Sequence, residues 1–70
     1  MEKIQIDTEY IKLDSLLKFA ALVATGGEAK YVITEGMVEV NGETCTQRGK
    51  KIRPGDKVKF ERFELEVTQA

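Results

Sequence analysis

Apolar and polar positions alternate at the start of the chain, in Lys3-Ile4-Gln5-Ile6, the period-two signature of a short strand. A turn at Asp7-Thr8 follows, and Tyr10 and Ile11 are placed to continue the strand beyond it. From Leu13 the period changes. Leu13, Leu16, Leu17, Ala20 and Ala24 recur at helical spacing, so one face of a helix is apolar and directed at a core. Asp14 is positioned to cap the first turn. Thr25-Gly26-Gly27 should end this helix, because paired glycines break helical structure and permit a tight turn.

A second helix is expected over Glu28 to Glu35, with Ala29, Val32 and Ile33 inward, Thr25 or Gly26 as its cap, and Gly36 leaving it in a left-handed conformation. The period then returns to two. Met37 to Val40 leads into Asn41-Gly42, a dipeptide that favours a tight hairpin turn because both positions tolerate positive φ. The return strand is read over Thr44 to Gln47, followed by a loop from Arg48 to Lys51, an apolar anchor at Ile52 and a turn at Arg53-Pro54-Gly55-Asp56. Lys57–Phe60 and Phe63–Val67 complete the set as strands joined by a two-residue turn, with Phe60 and Phe63 assigned to the core. The pattern predicts two short helices packed on a small, mostly antiparallel sheet, in the α+β class, as one domain spanning residues 1–70.

The chain has 70 residues, no histidine and one cysteine. A single small core is all that this length supports. Cys45 alone cannot form an internal disulfide, and no Cys/His cluster exists to hold a metal. Flanked by Thr44 and Thr46, it reads as a small half-buried hydrophobe, not a nucleophile. Without histidine the usual base near neutral pH is missing, and the carboxylates are scattered over turns and strand surfaces. Neither an enzyme nor a cofactor is expected. The longest uncharged run, Phe19 to Gly27, is too short to span a bilayer, and no leader pattern is visible, so the expectation is a cytoplasmic protein.

The net charge is −1, but its distribution is uneven. Residues 1–47 sum to −4 and residues 60–70 to −2, whereas residues 48–59 carry Arg48, Lys50, Lys51, Arg53, Lys57 and Lys59 against Asp56, a sum of +5. Such a local field either attracts phosphates or merely solvates a loop and an edge strand.

The order of pieces is specific: Lys12-Leu13-Asp14, a helix, a glycine turn, a second helix with Ala29-Lys30 near its start, the stretch from Glu35 to Gly42, a basic loop, and the stretch from Arg53 to Phe60. Over about residues 10–60 this resembles the RNA-binding module named after the fourth protein of the small ribosomal subunit, the S-four domain or αL motif. The chain is similar to the small stand-alone bacterial members of that family. One departure concerns the start of the second helix, where the family usually has a serine-arginine pair and this chain has Gly26-Gly27. Lys30, one turn further on, is the nearest replacement.

The resemblance implies a non-catalytic module that recognises structured RNA, ribosomal or transfer RNA, by backbone charge and shape, in association with the ribosome. Arg48, Lys50, Lys51 and Arg53 are the candidates for phosphate contact. Lys12, Lys18 and Lys30 flank or lie on the two helices that resemble the RNA-facing pair; for Lys18 an i,i+4 pair with Asp14 is the plainer account. The amides at Gly26 and Gly27 offer a phosphate cradle or simply a helix end. Tyr31 is either a base-stacking residue or a partly buried core tyrosine. The alternative function is a protein-interaction adaptor that keeps the fold and has largely lost RNA binding. Partners are then RNA, the ribosome or another protein, with no membrane, and the chain itself is expected to be monomeric.

Overall fold

The computed structural model describes all 70 residues. The elements, in chain order, are β1 (Glu2–Ile6), β2 (Ile11–Lys12), α1 (Leu13–Phe19), α2 (Gly26–Thr34), β3 (Val38–Val40), β4 (Glu43–Thr44), β5 (Lys51–Ile52), β6 (Lys57–Phe60) and β7 (Phe63–Gln69). Five strands form one sheet in the order β1-β7-β6-β3-β4, and β2 and β5 form a separate antiparallel pair. All pairings are antiparallel except β1 with β7, which is parallel and joins the two ends of the chain. The fold is α+β, as the periodicity requires.

One face of the sheet is apolar. Ile4, Ile6, Val38, Val40, Val58, Phe60, Leu65 and Val67 are buried there and merge with Leu13, Leu16, Leu17, Ala29, Val32 and Ile33 from the helices into a single core cluster. Burying a side chain of this size is worth about 1.5–3 kcal/mol, so the two helices are held to the sheet mainly by these contacts. Ile52, fully buried between exposed Lys51 and Arg53, ties the basic segment to the same core.

Both helices end in the same way, although only one shows it in its sequence. After α2, Gly36 adopts φ 77°. The Met37 amide donates to the Val32 carbonyl and the Gly36 amide to the Ile33 carbonyl, both at 3.0 Å. After α1, the equivalent position is Ala21, at φ 61°. Here the Leu22 amide reaches the Leu17 carbonyl and the Ala21 amide the Lys18 carbonyl, again at 3.0 Å. Both are Schellman closures, which satisfy the last carbonyls of a helix through one left-handed residue. The first helix therefore stops at Phe19, well before the glycines, and Ala24 is exposed instead of contributing to the core. Gly26 and Gly27 open α2, and Thr25 caps it, its hydroxyl accepting from the Glu28 amide at 3.1 Å.

Other departures from the sequence pattern are local. Asp14 does not cap α1: it is the second helical residue, and its Oδ1 accepts from the adjacent Ser15 amide at 2.7 Å. Ile11 leaves the first strand to pair with Ile52. The return strand is only Glu43–Thr44, because the chain turns away to form the basic loop. Phe60 is buried, but Phe63, its cross-strand partner beside the turn, is 45% exposed. Tyr31 lies outside the core, 62% exposed. The hairpin turn at Asn41-Gly42 adopts the expected positive φ values, 52° and 86°.

Candidate nucleic-acid interface

The basic loop owes its position to backbone bonds. The first amides of a helix have no partner within it. In α1, Leu13 donates to the Lys50 carbonyl at 2.9 Å and Asp14 to the Arg48 carbonyl at 3.1 Å. The loop's own main chain thus replaces the side-chain cap expected of Asp14. The β2–β5 pair continues this attachment, with Ile11 opposite Ile52 and Lys12 opposite Lys51. Arg48, Lys50, Lys51 and Arg53 are accordingly fastened beside the start of α1, all exposed, and Lys12 joins them from the helix side.

Tyr10, which periodicity marks only as a strand residue, contributes to the same surface. Its half-buried ring lies 4.9 Å from the Lys51 ammonium and 5.9 Å from the Arg53 guanidinium. A cation over an aromatic face is worth about 0.5–1 kcal/mol at exposed sites, enough to bias both long side chains toward one arrangement. The only functional signal for Tyr10 in the sequence is an aromatic just ahead of Lys12. Asp56, the sole acid in the basic stretch, closes the turn beneath these cations. Its Oδ2 accepts from the Arg53 amide at 2.9 Å, and its Oδ1 accepts from Asn41 Nδ2 at 3.1 Å.

Lys57 and Lys59 do not belong to this patch. Val58 and Phe60 point into the core, so the alternating lysines face the opposite side of the sheet. There Lys57 stands opposite Glu66, which also faces Lys3, and Lys59 stands between Glu64 and Glu39. Directly opposed charges of unlike sign stabilise a sheet by roughly 0.2–1 kcal/mol per pair. The +5 stretch therefore divides in two. One part stands opposite glutamates on the open sheet face, and the other, from Arg48 to Arg53, gathers positive charge next to Lys12.

The remaining candidates are spread along the helices. Lys18 is exposed in the last turn of α1, and Lys30 and Tyr31 are exposed on α2. At the start of α2 the Glu28 carboxylate folds back to accept from the Ala24 amide at 2.8 Å, while Thr25 takes the Glu28 amide. That reciprocal cap places a negative charge at the helix start, where Gly26 and Gly27 present their amides. Neither glycine is sterically required: a Cβ would meet nothing within 4 Å at Gly26, and only the Thr25 hydroxyl at 3.9 Å at Gly27. Cys45 is half-buried against the core, with its Sγ 3.7 Å from the Gln47 carbonyl oxygen. No group of three or more Cys, Asp or Glu side chains converges to hold a metal ion. No helix is long and apolar enough to cross a membrane.

The sequence matches the model of the S4 domain over residues 4–68. A Bacillus subtilis (strain 168) protein described as a probable ribosome maturation protein, RlbA, is 45% identical over 60 residues, which cover 86% of this chain and 84% of that protein. The solution structure of YbcJ from E. coli, described as revealing an αL motif involved in RNA binding, aligns with a TM-score of 0.75 at 30% identity. That alignment covers 97% of this chain and 87% of the other.

Proposed function

Since the chain belongs to the S4 domain family, we propose that it is a non-catalytic RNA-binding protein. Its RNA is structured, and ribosomal RNA is the first candidate. The observation that carries this reading is the placement of Lys12 directly opposite Lys51 on the β2–β5 pair. Like charges in direct cross-strand opposition destabilise a sheet. On the far side of the same molecule every opposed lysine faces a glutamate. A like-charged pair with no carboxylate opposite it, extended by Arg48, Lys50 and Arg53, is what a polyanion relieves on binding.

Lysine supplies mobile point charges and arginine a planar fork for phosphate oxygens. The wide minor groove of an RNA helix offers phosphates and ribose hydroxyls, and helices joined by tight turns can read that shape. Exposed Tyr31 and Lys30 on α2 extend the contact, with the tyrosine ring available for a base face. The likeness to YbcJ, with its αL motif involved in RNA binding, supports RNA as the ligand. The likeness to the B. subtilis probable ribosome maturation protein supports ribosome maturation as the setting.

The test is crosslinking in cells followed by sequencing of the bound RNA. Enrichment of discrete ribosomal or transfer RNA segments is expected. Recovery of proteins without RNA would overturn the proposal in favour of an adaptor.

A further inference from the structure

Between the β3–β4 hairpin and the basic loop lies a groove of about 500 Å³. Its volume falls within the roughly 300–1,000 Å³ typical of small-ligand sites. The two walls differ in chemistry. One is cationic, formed by Lys50, Lys51 and Arg53; the other carries the carboxylate of Glu43, cross-strand partner of Val40, and the hydroxyl and amide groups of Thr46 and Gln47. The frame is tied together across its base. Asn41 Nδ2 donates to Asp56 Oδ1, and Asn41 Oδ1 accepts from the Lys57 amide at 2.9 Å. Tyr10 lies against Lys51 and Arg53 from the side of β2.

We propose that this groove is a pocket for one unpaired nucleotide of a structured RNA, its phosphate on the cationic wall and its base on the hairpin wall. The inference rests on the RNA-binding reading and narrows its ligand to helices that carry a bulge or a splayed loop nucleotide. A surface that only tracks phosphates needs cations alone. A carboxylate facing them repels phosphate but accepts hydrogen bonds from a base amino group, as acidic side chains do from cytosine N4. Hydroxyl and amide groups on the same wall add the donors and acceptors with which unstacked bases are read. Glu43 makes the pocket selective: adenine, cytosine and guanine offer an exocyclic amino group, and uracil does not.

The test compares three RNA hairpins by fluorescence anisotropy: one with a continuous stem, one with a single bulged adenosine, and one with a single bulged uridine. The adenosine-bulged hairpin is expected to bind about tenfold or more tightly than the continuous one, and the uridine-bulged hairpin between them. Thr46 is exposed, so Thr46→Phe fills the groove without altering charge or core. It should lower adenosine-bulge affinity to that of the continuous stem and leave stem affinity and melting temperature unchanged. Glu43→Gln, which supplies both donor and acceptor, should erase the preference for adenosine over uridine. Equal affinity of the wild type for all three hairpins would overturn the pocket and leave RNA binding standing. So would an adenosine preference that persists in folded Thr46→Phe. Absence of binding to every hairpin would remove the RNA-binding reading and the pocket together.

Discussion

Lys12 and Lys51 stand directly opposite each other on two short antiparallel strands, one of them leading straight into the first helix. The like-charged pair costs the fold about 0.2–1 kcal/mol, which the Tyr10 ring, 4.9 Å from the Lys51 ammonium, offsets only from one side. Reversing one member separates stability from function. Lys12→Glu should raise the unfolding free energy by roughly that amount through a new opposite-charge pair, and it should weaken RNA binding at the same time. Denaturant melts and a binding titration on the same preparation check both signs.

Tyr10 is expected to act through the two cations it faces. Tyr10→Phe retains the ring and should bind RNA as the wild type does. Tyr10→Leu should weaken binding about two- to fivefold, the equivalent of roughly 0.5–1 kcal/mol. Because Lys51 and Arg53 still reach phosphate in the leucine variant, the dependence of affinity on salt should not change. Titrations at several potassium concentrations measure both quantities.

The two lysines of β6 provide the contrast. Lys57 and Lys59 are opposed by glutamates on the open face of the sheet. Replacing both with glutamine should leave RNA affinity within about twofold of the wild type, and each lost pair should cost about 0.2–1 kcal/mol of stability. A large loss of affinity, measured in the same titration, would place the sheet face in contact with RNA.

The end of α1 yields a prediction about stability alone. Ala21 holds a left-handed conformation at φ 61°, which costs an L-residue roughly 1–2 kcal/mol. Glycine removes that cost, but the extra entropy it gives the unfolded chain offsets about 0.4–1 kcal/mol. Ala21→Gly should therefore stabilise the protein by a net ~0.5–1 kcal/mol. Leu17→Ala, which empties a fully buried position in the preceding turn, should destabilise it by about 2–5 kcal/mol. Thermal melts followed by circular dichroism distinguish the two.

Much of this fold is legible in the order of residues where a local signal exists. Asn41-Gly42 marks its turn because both positions need positive φ, and Gly36 marks the end of α2 for the same reason. The end of α1 is hidden because an alanine occupies the left-handed position that glycine usually marks. The parallel pairing of β1 with β7 joins the two ends of the chain, as Glu2 with Leu65, and no local pattern reports it. The candidate site is legible in its charge and not in its construction. Arg48 to Arg53 stands out as a basic run, and Lys57 and Lys59 read as part of it until strand alternation turns them to the other face. Asp14 has the position of a cap for α1, whereas the carbonyls of Arg48 and Lys50 fill that role across a long sequence separation. Tyr31 is amphipathic enough for the core, and its exposure depends on how α2 is rotated against the sheet, which helical periodicity alone does not fix at its borders.

Salt dependence of binding to a structured RNA, measured for the wild type and for a variant with Arg48, Lys50 and Lys51 changed to glutamine, decides whether the basic loop is the RNA interface. The loop is held by backbone bonds and by buried Ile52. The variant should therefore melt close to the wild-type temperature, exposed charges contributing only about 0–1 kcal/mol each. With about four phosphates neutralised, the wild type should show a log–log slope of roughly −3 to −4, and the variant should lose most of its affinity and about 2 to 3 units of that slope. A folded variant that binds as tightly as the wild type, with the same slope, would contradict this assignment and move the interface to Lys30, Tyr31 and the helix pair.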